Sequence, residues 1–151
     1  MCEKVKDLTI ERMKEEDLEE VLRIEKESFS DPWTKESFLE DLHRGFAYPA
    51  VVKMGGELVG YTCLWKIEDE LQIANIAVDK GYRRRGIAQR LIEWIMEQAL
   101  KQNCKTIILD VRESNSGALE LYRKFDFEEI GRRKNYYRYP VENAIIMEKK
   151  L

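Results

Sequence analysis

The chain has 151 residues, 44% of them hydrophobic, which suits one well-filled domain over residues 1–151. Its formal net charge of -3 argues against a general nucleic-acid or membrane-surface role. Cys2, Cys63 and Cys104 are odd in number and far apart, which disfavours a zinc knuckle or a disulfide framework and fits a reducing, cytoplasmic setting.

The opening MCEKVKDLTIERM carries no long apolar run, so no secretory signal is read there. No stretch approaches the roughly 20 apolar residues of a membrane span. LTIERM (8–13) reads as a first strand. In the next segment Leu18, Val21, Leu22 and Phe29 fall on helical spacing, with acids in the first turn. SDPW interrupts it, and Thr34 then suits the N-cap of a short helix carrying Phe38, Leu39 and Leu42. AVVKM, Gly55-Gly56 and ELVGYTCLW form a hairpin signal, followed by a strand LQIANIAV (71–78). After GYRRRG comes a helix with Ala88, Leu91, Ile92, Ile95 and Ala99 on one face and Asn103 as its C-cap. TIILDV (106–111) reads as a buried central strand, SNSGALELYRKF as a helix, and FEEIGRR and AIIMEKK as closing strands. The order predicts a mixed α/β or α+β domain with at least one parallel crossover.

GYRRRGIAQR sets three arginines against a glycine at a helix start. Helix N-termini leave about four backbone N–H groups without partners, and their partial positive charge favours an anion. A solvated basic turn and a phosphate seat both fit this composition. Neither GxxxxGK[ST] nor GxGxxG is present, which weakens nucleotide triphosphatase and nicotinamide-dehydrogenase readings.

NIAVDKGYRRRGIAQRLI resembles the acyl-coenzyme A signature of the GNAT acetyltransferase superfamily, with Arg83, Gly86 and Ala88 in the three defining positions. With LDVRESNSGALELYRKFDF, GRRKNYYRYPVENAIIM and IEKESFSDPW, nearly the whole chain is similar to the RimI-like ribosomal-protein alanine N-acetyltransferases. The resemblance implies a twisted mixed sheet, flanked by helices, whose fourth and fifth strands splay apart. It implies acetyl-CoA as cosubstrate, no metal, and a protein N-terminus as acceptor, with no direct nucleic-acid or membrane partner. The pantetheine arm would pair with the backbone of Ile76, Ala77 and Val78. The pyrophosphate would sit on the amides of Arg84, Arg85, Gly86, Ile87, Ala88 and Gln89, and Asn115 would contact the cofactor. Plain core packing of Ile76 and Val78 is compatible with this.

The family's general acid falls on Tyr122, which could instead be a core tyrosine with its hydroxyl at the rim. The family's basic glutamate is Asp110 here, one methylene shorter. Glu70 is an alternative base, and a structural pair with Arg112 is an alternative role for Asp110. Asp126 stands where relatives carry a left-handed glycine. Tyr136 and Tyr137, in the segment before the last strand, match the region that grips the acceptor, although packing on the core is an equal reading. Trp33 suits a hydrophobic anchor between two helices. His43 suits a helix surface, and Cys63 and Cys104 suit buried apolar fillers.

Overall fold

The computed structural model describes residues 8–151; Cys2 and the first seven residues of the opening stretch read for a secretory signal lie outside them. The elements are β1 (Leu8–Arg12), a 3-10 turn (Glu15–Asp17), α1 (Leu18–Ser28), α2 (Lys35–His43), β2 (Ala47–Met54), β3 (Glu57–Ile67) and β4 (Glu70–Val78). A second 3-10 turn (Lys80–Tyr82) leads to α3 (Ile87–Lys101), β5 (Thr106–Arg112), α4 (Ser116–Lys124), β6 (Glu128–Tyr137) and β7 (Glu142–Lys150).

One seven-stranded sheet runs in the order β1-β2-β3-β4-β5-β7-β6. The β4–β5 pair is parallel, bridged by α3, and the other described pairs are antiparallel. Apolar stripes on α3 and α4 bury Ile87, Leu91, Ile92, Ile95 and Leu119 against Leu71, Ile73, Ile107 and Leu109. On the opposite face α1 and α2 bury Val21, Ile24 and Phe38 against Val51, Tyr61 and Ala77.

Local chemistry accounts for most boundaries. Gly55 and Gly56 take positive φ, as the two-residue β2–β3 hairpin requires. The Thr34 hydroxyl accepts from the Ser37 amide and starts α2. Asn103 adopts φ 59° just past α3 while the Cys104 amide donates to the Ala99 carbonyl, closing the helix. Strand β2 begins at Ala47, earlier than its AVVKM run suggests, and includes Pro49. The Met13 amide donates to the Pro49 carbonyl at 3.0 Å just past the last β1–β2 pair, Arg12–Ala50, so the N–H that Pro49 lacks lies at the very end of that ladder. Strand β6 also extends beyond FEEIGRR, so Tyr136 and Tyr137 lie on a strand rather than in a connecting loop. Its register shifts between Arg133 and Tyr137, where Asn135 takes φ 51°, before pairing resumes at Tyr137–Glu142. No described helix is long and apolar enough to cross a membrane.

Candidate active site

Strands β4 and β5 pair at Glu70–Thr106, Leu71–Ile107, Gln72–Ile108 and Ile73–Leu109, and then part. The cause is local. Ala74 is an extra residue opposite β3, because Cys63 pairs with Asn75 while Leu64 pairs with Ile73. A bulge bends its strand and flips the side-chain alternation. Leu71 and Ile73 face α3 before it; after it Ile76 and Val78 take that face and Ala77 joins the α1 side.

The bulge also decides which backbone groups are free. The Asp79 amide donates to Val59 at 2.8 Å, and the Asn75 carbonyl accepts from Thr62 Oγ1 at 2.8 Å, so residues 75, 77 and 79 turn their polar groups toward β3. Alternation leaves those of Ile76 and Val78 on the open edge. This corrects the reading of Ala77, whose backbone is turned toward β3 and away from the gap.

A carboxylate that sequence reasoning missed holds this geometry. Glu25 of α1 is 1% exposed. It accepts from Tyr61 Oη at 2.6 Å, Asn75 Nδ2 at 2.8 Å and the Trp33 amide at 2.8 Å. Burial, then the Glu25 charge, pushes the Tyr61 phenol up. The signal was spacing: Glu25 stands four residues after Val21 and seven after Leu18, on the apolar face.

Beyond β4 the chain turns through Lys80–Tyr82 into α3. Asp79 accepts from the Gly81 amide and pairs with Arg23 at 2.8 Å. Burial pushes its carboxyl up, but Arg23 and the Gly81 amide outweigh that and hold it below the usual range. Gly86 caps α3 with φ 80°, in open space, and Arg84 is also left-handed at φ 64°. The Arg90 amide donates to the Gly86 carbonyl, the first turn of helix, so the amides of Ile87, Ala88 and Gln89 precede any intrahelical donor position. Arg85 stacks on Tyr82, whose hydroxyl donates to Glu57.

Asp110 follows Leu109, the last β5 residue paired with β4. Its carboxylate meets Arg133 Nε at 3.4 Å; Arg112 instead pairs with Glu142 at 3.0 Å, so the alternative Asp110–Arg112 pair does not form. Glu70 lies at the closed end of the pair, beside Thr106, and cannot serve the gap. Tyr122 is 4% exposed on α4 and packs edge-on against Phe127 at 5.4 Å. Burial, then Tyr137, raises its phenol. Tyr137 is pushed up to about 12 by burial and then by Asp110. Arg112, two residues beyond Asp110 on β5, lies over the Tyr137 ring, 4.5 Å from its centroid, which brings Tyr137 to the end of β5 where Asp110 stands. Tyr136 is exposed and edge-on to Tyr137 at 5.1 Å.

Asn115 caps α4, its Oδ1 accepting from the Ala118 amide at 3.2 Å. Asp126 adopts φ 68°, as expected of a residue in a glycine position. Trp33 packs between Phe38 and Trp65, His43 is exposed, and Cys63 and Cys104 are buried. No group of three or more metal-ligating side chains gathers among the described residues.

A split parallel pair beside a glycine-capped helix start is one half of the assignment; the other is that the Acetyltransferase (GNAT) family model matches residues 18–127. The chain belongs to the GNAT acetyltransferase family. A Bacillus subtilis (strain 168) protein provisionally named [ribosomal protein bS18]-alanine N-acetyltransferase is 37% identical over 91% of this chain and 92% of its own. The [ribosomal protein bS18]-alanine N-acetyltransferase of Escherichia coli (strain K12) is 31% identical over 92% and 95%. The crystal structure of the ribosomal-protein-S18-alanine N-acetyltransferase from Escherichia coli superposes with a TM-score of 0.88, covering 95% of this chain and 93% of that one. For a GNAT protein, the parting of β4 from β5 is the expected architecture, and here it is the Ala74 bulge that produces it.

Proposed function

We propose that this GNAT protein transfers the acetyl group of acetyl-CoA to the N-terminal α-amine of a protein, the alanine of a ribosomal protein being the acceptor its relatives' names supply. The observation that carries the reading is the free β4 edge at Ile76 and Val78, running directly into the Gly86 turn. The ribosomal acceptor puts the reaction in the cytoplasm.

The free edge fits an amide-bearing arm, which would take up the unused backbone groups of Ile76 and Val78. The amides of Gly86, Ile87, Ala88 and Gln89 suit a pyrophosphate, with Arg84 and Arg85 adding charge. Asn115, already used as a cap, keeps its Nδ2 for a further contact. Bound there, acetyl-CoA supplies an activated acyl group.

The chain's own part is then orientation and proton handling. Holding two reactants in line is worth about 7 to 11 kcal/mol. An α-amine, with a pKa of about 7.7 to 8.0, is roughly a tenth neutral at pH 7, so the short arm of Asp110, acting directly or through a water, has a modest task. Tyr122 keeps its proton at neutral pH and donates to the departing sulfur. A backbone N–H of Ile76 or Val78 polarises the carbonyl. Tyr136 and Tyr137 flank the approach of the acceptor.

The test is thiol release from acetyl-CoA with peptides beginning Ala-Arg, with N-terminally blocked peptides bearing lysine, and with a polyamine. Release with the free N-terminus is expected. Release from blocked peptides or the polyamine alone would assign a lysine or small-amine acceptor. Tight coenzyme A binding with no release on any amine would leave a silent acyl-CoA binder.

A further inference from the structure

We propose that Arg112 is a positioning residue that buckles the two segments flanking the acceptor approach, and so sets the affinity for the acceptor peptide. The proposal deepens the acetyl-transfer reading and rests on it.

Arg112 ends β5, two residues beyond Asp110 and on the same face of the strand. Its side chain is largely covered, 22% exposed, yet it does not pair with the candidate base. Nη1 donates to Glu142 Oε1 at 3.0 Å and to the Pro140 carbonyl at 3.2 Å. Nη2 donates to the Arg138 carbonyl at 2.8 Å and to Ser30 Oγ at 3.1 Å. The guanidinium also lies over the Tyr137 ring, 4.5 Å from its centroid.

These partners belong to two segments far apart in sequence. Arg138 and Pro140 form the β6–β7 turn, and Ser30 lies in the α1–α2 connection. Among the described residues, the hydrogen bonds that join the two segments all pass through Ser30, to Arg112 and at 3.5 Å to the Arg138 carbonyl. The rim they form is exposed and aromatic, with Phe29 on one side and Tyr136, Tyr139 and Val141 on the other. Apolar groups left bare beside the end of β5 that carries Asp110 are contact area for an incoming chain.

Only a planar fork can do this. A guanidinium presents donors in fixed directions and stacks on an aromatic face, whereas an ammonium is one compact charge on a flexible stem. If the role were merely to neutralise Glu142, lysine would suffice. If it is to hold two carbonyls, a hydroxyl and a ring at once, lysine fails.

The experiment is steady-state thiol release with an Ala-Arg peptide and acetyl-CoA varied separately, for wild type, Arg112→Lys, Arg112→Gln and Ser30→Ala. The acceptor KM is expected to rise about tenfold in both Arg112 variants, about 1.4 kcal/mol, and about threefold in Ser30→Ala. The acetyl-CoA KM should stay within about twofold, since the phosphate turn is untouched. An unchanged acceptor KM in Arg112→Lys, or a parallel rise in the acetyl-CoA KM, overturns the proposal. Should the Arg112 variants fail to fold, Ser30→Ala decides alone, and an unchanged acceptor KM there overturns it equally. Amide hydrogen exchange reads the buckle without any substrate: in Ser30→Ala, residues 29–33 and 137–142 should exchange faster together. Loosening of both segments in a protein that acetylates nothing would sink the acetyl-transfer reading and leave the buckle standing. Normal turnover with neither segment loosened would do the reverse.

Discussion

The β-carbon that Gly60 lacks would stand 2.9 Å from the main-chain oxygen of Ala77. That oxygen belongs to the strand segment that borders the gap, and a backbone oxygen cannot swing aside as a side chain can. Gly60→Ala should therefore push β4 outward where it parts from β5. The expected result is a stability loss of about 1 to 3 kcal/mol, with weaker coenzyme A binding by calorimetry.

Tyr122→Phe keeps the ring that packs on Phe127 and removes only the proton donor. Turnover should fall about 10²-fold, with coenzyme A affinity and melting temperature nearly unchanged. Unaltered turnover removes Tyr122 from the chemistry.

The pH profile follows from the same groups. Activity on a peptide α-amine should climb through about pH 7.7 to 8.0 as the amine loses its proton. Burial raises Tyr122, and Tyr137 is pushed up to about 12, so both phenols stay protonated through the working range. No descending limb from phenol ionisation is expected below about pH 10. A fall near pH 8 would assign the donor to another group.

Asp110→Asn tests the base, and a drop of about 10²-fold in kcat/KM is expected. Asp110→Glu restores the family's longer arm and should preserve or raise activity. A Glu variant as impaired as the Asn variant would show that the 3.4 Å contact with Arg133, and not proton transfer, is what the carboxylate provides.

Asp79 is moored by Arg23 and held below its usual pKa, which fixes a sign. A depressed carboxyl contributes stability that is fully present above the unfolded value of about 3.9 and is lost as pH falls through the folded value. The melting-temperature gap between wild type and Asp79→Asn should thus be constant from about pH 5 to 8 and close below about pH 4. A gap that persists in acid would show that the pair does not hold the turn.

Much of this arrangement was legible in the residues because its determinants are local. Gly55-Gly56, Thr34, Asn103 and Asp126 each act on their own few neighbours, and each behaves as read. Asp126 shows how far a local rule reaches. Its left-handed backbone lets the Phe127 amide donate to the Tyr122 carbonyl at 3.0 Å, so a helix stop also seats the candidate acid. What could not be read was register. Nothing in LQIANIAV marks Ala74 as the bulge, since neither glycine nor proline stands there. Asp110 found Arg133 rather than Arg112 because β6 reaches it across β7, a neighbour relation set by sheet order. Glu25 lies on the apolar spacing of α1 among exposed charges, but the partners it meets on β3 and β4 depend on how α1 closes over them.

Among the described residues, the ladder between the first four strands of the sheet and the last three has four parallel rungs. Past them the two strands part, and a thioester carrier laid along Ile76 and Val78 would become a structural member as well as a reagent. At a concentration one hundred times its dissociation constant, such a guest would add about 2.7 kcal/mol to the folded state. An enzyme built this way is softest when empty, and its durability rises and falls with the supply of what it consumes.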